Sequence, residues 1–249
     1  NSINAQTYPN PHPYPVGQTT GFVTILQTAQ IPFNWSNTNF SAPEKKDLVI
    51  YELHVRDFVA KRNYQTLIDT LDYLDKLGIN AIELMPPGEF ENNESWGYNP
   101  SFHMALDKYY GTPEKFKEFV DSCHGRGIAV IVDMVLNHAF GQNPMVNMYW
   151  EAANSRPAAH SPWFHAICPH EPYCWGYDYD HTRLATQNYI DQVNRYWVET
   201  YNIDGFRFDY TKGFVNNGNG YSMERINLLK RMADEIWTYK SDAYVILEH

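Results

Sequence analysis

The sequence contains little cysteine and no long apolar run, and both facts narrow the classes of protein to which it can belong. Three of the 249 residues are cysteine, so a disulfide-rich scaffold is excluded. No apolar stretch approaches the roughly 20 residues of a transmembrane helix, so we expect no membrane span. The net charge is −10 and no basic block is present, which argues against nucleic acid or an anionic membrane as partner.

Several catalytic signatures are also missing. The sequence has no phosphate-binding glycine loop, which argues against kinase or nucleotide chemistry. It has no GxSxG motif, so the nucleophile elbow of serine hydrolases is absent. It has neither HExxH nor closely spaced metal ligands, so a catalytic metal is not expected. Aromatic residues are plentiful at 16%, and their faces suit sugar rings as well as a protein core.

The three cysteines differ in their surroundings. Cys123 falls in a helical pattern, which predicts a buried thiol. Cys168 and Cys174 flank a loop rich in Pro, His and Tyr. They either close a small disulfide, which would indicate a secreted, periplasmic or cell-surface protein, or remain free thiols, which would fit a cytoplasmic one.

Two regions of different composition divide the chain. Residues 1–42 are rich in Asn, Pro, Thr and Tyr, with one strand-like run at Gly21–Gln27. We predict that they form a linker or the tail of an upstream β-rich module. Residues 43–249 alternate between strands and helices, which predicts an α/β fold with a parallel sheet, either doubly wound or a barrel. The irregular segment 139–185 is too long for an ordinary connection and is predicted to be an inserted subdomain.

Hydrophobic periodicity and capping residues predict the individual elements. Strands are predicted at Leu48–Val55, Ala81–Leu84, Ile128–Val135, Gly205–Phe208 and Tyr244–Leu247. Helices are predicted at Tyr64–Leu77, from Thr112 to about His124, at Thr186–Tyr201 and from Ser222 to about Tyr239.

Polar and ionisable side chains gather where the predicted strands end. Asp209 follows the fourth strand and lies two residues after Arg207, so both side chains point to the same face. An arginine beside a carboxylate favours its ionised form, although a purely structural ion pair would look the same. The ends of the other strands carry His54, Arg56, Asp57, Asp133, Asn137, His138, Glu248 and His249. Because parallel α/β folds place active sites at this edge, we predict an active site there.

Two carboxylates on different strands, Asp209 and Glu248, are the minimum for glycoside hydrolysis. One attacks the anomeric carbon while the other protonates the leaving oxygen. The sequence therefore favours a glycosidase over a metalloenzyme.

Three stretches resemble, in order, three of the four signature regions of the α-amylase family of glycoside hydrolases. They are Asp133–His138 (DMVLNH), Gly205–Lys212 (GFRFDYTK) and Ile246–His249 (ILEH). The stretch Asp107–His138 is similar to that family throughout, and the resemblance covers about Asp47–His249. It implies a (β/α)8 TIM barrel acting on α-linked glucans with retention of configuration. This chain would supply the first five strands, with the inserted subdomain after the third.

The resemblance also implies roles for individual residues. Asp209 matches the nucleophile, Glu248 the general acid/base and Arg207 the arginine that orients the nucleophile. Four residues match substrate-binding or site-supporting positions: Tyr98, His138, Lys212 and Asp133. Plainer interpretations exist: His138 as the cap of a strand end, and Tyr98 and Trp96 as packing residues.

Calcium is the one metal that the resemblance implies, and its role would be structural, with no cofactor needed for the chemistry. Asn137 matches a position that binds calcium in many members, although Asn is also a common turn residue. Asp178 or Asp180 in the inserted subdomain would be further ligands. Many members carry a histidine after the lysine of the second motif, where this chain has Gly213, and that difference bears on both calcium and substrate binding.

The expected function is hydrolysis of α-1,4 bonds in starch or glycogen. The stretch Glu83–Pro86 (ELMP) is also similar to branching and debranching members, so a branching enzyme, a debranching enzyme or a glucanotransferase is the alternative. A glycan-binding homologue without activity is the other, because the family's fourth region, with a third aspartate, is not found in this chain. We accordingly expect the chain to be part of a longer one.

Overall fold

The computed structural model describes residues 5, 7–9, 11–21, 23–24, 26, 28–92, 95–215 and 220–249. The strands are β1 (Ile50–Leu53), β2 (Ala81–Leu84), β3 (Gly88–Phe90), β4 (Pro100–Leu106), β5 (Ala129–Met134), β6 (His138–Ala139), β7 (Trp150–Glu151), β8 (Arg156–Pro157), β9 (Tyr177–Asp178), β10 (Gly205–Phe208) and β11 (Tyr244–Leu247). The α-helices are α1 (Val55–Phe58), α2 (Tyr64–Asp69), α3 (Leu71–Leu77), α4 (Pro113–His124), α5 (Pro144–Met148), α6 (Leu184–Tyr201) and α7 (Met223–Tyr239), and short 3-10 helices lie at Lys45–Asp47 and Thr211–Phe214.

Five parallel strands form the central sheet in the order β1-β2-β5-β10-β11. All six residues of β5 are buried, as expected for a central strand covered on both faces. Successive residues of each strand point to opposite faces of the sheet. Phe206 and Phe208 pack into the main core with the helices, whereas Ala129, Ile131 and Tyr244 form a smaller cluster on the inner face. The inner face is the one that carries Arg207.

The sequence predicted the later elements closely. β2, β10 and β11 have the predicted bounds, and α7 begins after Ser222, whose side chain accepts from Arg225 N. Thr112 caps α4 through its hydroxyl, and Pro113 is the first helical residue. These elements carry strong local signals, because apolar periodicity and capping residues agree there.

Two predictions near the start of the sheet were wrong in detail. The first strand is shorter than predicted, because the amides of Asp57 and Phe58 turn back to the carbonyl of His54. The helix predicted at Tyr64–Leu77 is broken at Thr70, whose hydroxyl binds the carbonyls of Thr66 and Leu67. Such side-chain bonds compete with the helical pattern.

The antiparallel hairpin of β3 and β4 was not predicted. Its pairing contains register shifts, and such irregular pairing obscures the alternation by which a strand is recognised. The hairpin lies between β2 and α4, and the loop Trp96–Pro100 that follows β3 is brought over the sheet edge.

The segment before the sheet packs near the amino-terminal ends of the parallel strands. The amides of Ser36 and Asn37 donate to the carboxylate of Asp121 at 3.1 and 2.9 Å. Phe40 stacks on His124 with 4.0 Å between ring centroids. The strand-like run Gly21–Gln27 falls partly outside the described residues, and its described members Gly21, Val23, Thr24 and Leu26 are not in a strand.

The segment 139–185 has a small core of its own. Ala139, Val146, Phe164 and Tyr179 pack together. The antiparallel pair β6–β9 joins the two ends of the segment, and the pair β7–β8 lies within it. Cys168 and Cys174 are joined by a disulfide, and Cys123 is a buried free thiol. None of the described helices is both long and apolar enough to cross a membrane.

Candidate active site

Arg207 is the centre of the site and binds carboxylates from three adjacent strands. Its Nη1 lies 3.0 Å from Asp133 Oδ1 and 2.9 Å from Asp209 Oδ1, and its Nη2 lies 3.0 Å from Glu248 Oε1. The strand register produces this meeting. Arg207 pairs with Asp133 on β5 and with Ile246 on β11, and Glu248 stands two residues beyond Ile246 on the same face.

Burial dominates the pKa of two of these carboxylates, Asp133 and Asp209. Burial raises the pKa of Asp133 to about 7, although Arg207 and Tyr98 oppose the shift. Burial likewise raises the pKa of Asp209 to about 6, against the opposing effect of Arg207. The expectation that Arg207 alone would favour the ionised form of Asp209 was therefore incomplete, because burial outweighs it. Asp133 and Asp209 therefore keep a proton more readily than exposed carboxylates do.

Tyr98 and His138 are joined to this cluster. The Tyr98 hydroxyl donates to Asp133 Oδ2 at 2.7 Å, and His138 Nε2 lies 2.8 Å from the carbonyl oxygen of Tyr98. Burial lowers the pKa of His138 to about 4, so the imidazole is neutral and donates through Nε2. Its Nδ1 is buried and has no hydrogen-bond partner within the part of the chain that the structure describes.

These side chains line or support a cleft of about 570 Å³ at the carboxyl ends of the strands. Its walls are Trp96, Tyr98, His138, Phe140, Trp175, Arg207, Asp209, Tyr210, Lys212, Glu248 and His249. Six of the eight residues predicted from the sequence are in this set. Asp133, the seventh predicted residue, supports the cleft from below its walls, because it is buried and bonded to Arg207 and Tyr98.

Sequence reasoning missed the aromatic wall of the cleft. Trp175 and Tyr210 contact each other, with 5.1 Å between ring centroids, and Phe140 lies against His138. Phe140 and Trp175 belong to the inserted segment 139–185, where no periodic pattern in the sequence indicates the direction of a side chain. The clustering of aromatic residues beside Cys168 and Cys174 was the available signal.

Asn137, the eighth predicted residue, pairs with Asp178 beside the cleft. Its Nδ2 donates to Asp178 Oδ1 at 3.1 Å. Asn137 Oδ1 and Asp178 Oδ2 are both buried and bond to none of the described residues. Burial raises the pKa of Asp178 to about 7. Asp180 differs, because its oxygens already accept from Thr182 and Arg183.

Gly213 is explained by its contact with Asn137. A Cβ placed on Gly213 would overlap Asn137 Oδ1, so a side chain at 213 would displace the amide from its present position. Glycine in place of the family's histidine at 213 therefore leaves room for the side chain of Asn137.

Comparison with known proteins agrees with this geometry. Residues 62–183 match the Alpha-amylase family, described as the alpha amylase catalytic domain. Malto-oligosyltrehalose trehalohydrolase from Saccharolobus solfataricus is 31% identical over 84% of this chain and 36% of its own length. The 1,4-alpha-glucan branching enzyme from Photobacterium profundum is 28% identical over 86% of this chain and 32% of its own. The crystal structure of a candidate alpha-amylase from Salmonella typhimurium superposes with a TM-score of 0.70 and 28% identity, over 86% of this chain and 34% of that one.

The chain belongs to the α-amylase family of glycoside hydrolases, as the three motifs predicted. Its parallel sheet fits the TIM barrel that the catalytic domain of this family implies. The chain spans about a third of the length of the curated relatives it matches.

Proposed function

We propose that the protein is a retaining glycoside hydrolase that cleaves α-1,4 bonds in glucans of the starch and glycogen type. The observation that carries this proposal is the position of Asp209 and Glu248 at the ends of adjacent strands. Asp209 binds Nη1 of Arg207, and Glu248 binds Nη2. Since both carboxylates contact one guanidinium, at 2.9 and 3.0 Å, they lie close together. This closeness fits the separation of about 5 Å in retaining glycosidases better than the 6.5–9.5 Å of inverting ones.

In the proposed reaction Asp209 attacks the anomeric carbon and forms a glycosyl ester. Glu248 gives its proton to the oxygen of the departing sugar, so the bond breaks without an alkoxide leaving group. In the second half-reaction Glu248 takes a proton from water, which attacks the same carbon and releases Asp209. Arg207 holds both carboxylates in place and Asp133 holds Arg207, while His138 and Tyr98 bind the sugar being cleaved and Lys212 binds the departing side of the glucan.

The finer architecture is part of the proposal. We infer that residues 43–249 are the first five strands of a (β/α)8 barrel, with 139–185 as an inserted subdomain, and that residues 1–42 are a linker or the tail of an upstream module. The order β1-β2-β5-β10-β11 and the helices that connect these strands support this inference. A crystal structure of the full-length protein with an open, doubly wound sheet would refute it.

Product analysis tests the proposed activity. The protein, incubated with amylose, is expected to release new reducing ends. The similarity to a branching enzyme makes transfer the second candidate, and transfer would instead create α-1,6 branches with little net gain of reducing ends. Malto-oligosyltrehalose should be included among the substrates tested, because one relative is a malto-oligosyltrehalose trehalohydrolase. Binding of amylose without either product would indicate the inactive glycan-binding alternative.

We also propose that Asn137 and Asp178 hold a structural calcium ion. Two buried oxygens without described partners, Asn137 Oδ1 and Asp178 Oδ2, are the hard oxygen ligands that calcium prefers. Both residues lie at the junction of β6 and β9, so the ion would hold the inserted segment against the strand end. It would take no part in the chemistry.

Calcium is expected to raise the melting temperature, because a ligand that binds only the folded state stabilises it by about 2.7 kcal/mol at a hundredfold excess over Kd. Calorimetry with and without EGTA measures this. In the Asp178→Asn variant the rise should be much smaller. An equal rise in the variant, or none in the parent protein, would contradict the site.

A secreted, periplasmic or cell-surface location is proposed as well, in preference to a cytoplasmic one. The Cys168–Cys174 disulfide supports it. Thiol titration of the denatured protein isolated from its host should count one thiol, and a count of three would point to the cytoplasm.

A further inference from the structure

The disulfide of the inserted segment lies beside a buried carboxylate. The sulfur atoms of Cys168 and Cys174 and a carboxylate oxygen of Asp178 all lie within 4.8 Å of one another. Asp178 is 2% exposed, whereas both cysteines are only partly buried. We call these three residues the Cys–Cys–Asp cluster. It combines two sulfurs that a reductant can reach with a carboxylate that is shielded from water.

The carboxylate of Asp178 has room for a further partner. Its Oδ1 accepts from Asn137 Nδ2 at 3.1 Å, while its Oδ2 is buried and bonds to none of the described residues. Buried polar atoms are nearly always paired, so an unpaired carboxylate oxygen calls for a ligand. The calcium ion proposed above would use the oxygens of Asn137 and Asp178. Calcium takes oxygen ligands, so it gives no role to the two adjacent sulfurs.

The backbone brings the members of the cluster together. The Cα atoms of Cys168 and Cys174 are 5.9 Å apart. Gly176, with φ +60°, makes the turn that returns the chain to Asp178 on β9, and a Cβ there would lie 2.5 Å from the carbonyl oxygen of Ala139. Two thiolates on one tetrahedral zinc ion are about 3.8 Å apart, given Zn–S bonds of about 2.3 Å. Rotation of the two cysteine side chains reaches this separation once the bond between the sulfurs is broken.

One of the sulfurs also has a hydrogen-bond donor. The amide of His170 donates to Cys168 Sγ at 3.4 Å. A donor at sulfur favours the thiolate, which is the form of cysteine that binds metals. Hydrogen bonds of this kind also orient the ligands of metal sites.

We propose that the Cys–Cys–Asp cluster, when its disulfide is reduced, binds one zinc ion through two thiolates and the carboxylate. Zinc accepts both sulfur and oxygen ligands in a tetrahedral arrangement, and three protein ligands leave the fourth position to water or to Asn137 Oδ1. The ion would fasten the loop of residues 168–174 to the β6–β9 pair. The proposal does not depend on the proposed glucan hydrolysis.

A small dithiol supplies the electrons for the reduction. Its first thiolate attacks one sulfur and breaks the Cys168–Cys174 bond, and its second thiol then displaces the mixed disulfide, so that the reductant leaves as a cyclic disulfide. The cysteine pair gains two electrons and two protons. Zinc replaces these two protons, which pass to the buffer.

Zinc binding by the oxidised and the reduced protein tests the site. The protein is reduced with dithiothreitol, freed of it by gel filtration without oxygen, and dialysed against zinc chloride. Elemental mass spectrometry should then find one zinc ion per chain more in the reduced protein than in the oxidised protein. Cobalt(II) in place of zinc should give sulfur-to-cobalt charge-transfer absorption in the reduced protein alone.

Equal zinc contents in the two forms, or cobalt binding without the charge-transfer absorption, would overturn the proposal. Loss of the cooperative thermal transition on reduction would also overturn it, because the cluster requires the folded β6–β9 pair. This comparison needs no variant, so it decides the proposal even where a substitution disturbs the fold.

Variants identify the ligands. Cys168→Ser should lose the additional zinc ion. Asp178→Asn should weaken zinc binding by more than about tenfold, the usual cost of removing a side chain that only hydrogen-bonds to a ligand. Competition with a chromogenic chelator measures the affinity. Cys123→Ala is the matched control and should bind as the parent does, because Cys123 is a free thiol buried in α4.

Two results with these variants would contradict the proposed ligand set. Parental affinity in Asp178→Asn would exclude the carboxylate as a ligand. An additional zinc ion retained by Cys168→Ser would place the ion on the oxygens of Asn137 and Asp178 and refute the thiolate site.

Discussion

Replacing Asp209 with asparagine is expected to lower kcat for maltoheptaose by about 10⁴-fold or more, since loss of a catalytic nucleophile has effects of this size. The amide keeps the shape of the carboxylate and can still accept from Arg207, but it cannot form the glycosyl ester. Activity on α-maltosyl fluoride should fall as well, because the first step needs the nucleophile whatever the leaving group. Steady-state rates of reducing-sugar and fluoride release measure the two losses.

Asp191→Asn is the matched control for this experiment. Asp191 binds Arg231 between α6 and α7 at 2.7 Å, away from the cleft, so the same chemical change there should leave kcat nearly unaltered. If Asp209→Asn retained more than a hundredth of the parental rate, Asp209 would not be the nucleophile.

Replacing Glu248 with glutamine is expected to give a different pattern, which distinguishes the two carboxylates. Hydrolysis of maltoheptaose should fall by about 10²–10⁴-fold, the usual contribution of a general acid. Release of fluoride needs no proton donor, so the first turnover of α-maltosyl fluoride should remain fast. The second step lacks its base, and rapid-quench measurement should therefore show a burst of fluoride followed by slow turnover.

Glu224→Gln, in the first turn of α7, is the control for this second variant and should behave as the parent protein does. The assignment fails if Glu248→Gln slows the first fluoride turnover as strongly as Asp209→Asn does. Such a result would mean that Glu248 positions Arg207 and does not donate a proton.

Most of the candidate site could be predicted because its residues occupy the ends of strands with clear local signals. β10 and β11 have the predicted bounds, so Asp209 and Glu248 were placed on one edge from periodicity alone. Asp133 was predicted at the same edge, but its contact with Arg207 depends on the register of β5 against β10. Register is set by the packing of whole strands, and a single sequence does not contain it in local form.

The parts that were missed depend on long-range contacts. Arg207 lies within 4 Å of four carboxylates, those of Glu83, Asp133, Asp209 and Glu248. Burial raises the pKa of Asp209 to about 6, which no spacing of residues discloses. The hairpin of β3 and β4 has irregular pairing. Trp175 and Tyr210 meet only because the inserted segment folds back over the sheet edge, and that path is fixed by the disulfide and by packing around Phe164 and Tyr179.

Trapping the covalent intermediate tests the central claim most directly, namely that Asp209 is the nucleophile and Glu248 the acid/base of a retaining reaction. The Glu248→Gln variant, mixed with α-maltosyl fluoride and quenched in acid, should accumulate a maltosyl ester. Digestion and tandem mass spectrometry should then locate that ester on Asp209. An adduct on another residue, or a burst of fluoride with no adduct on the protein, would contradict the account.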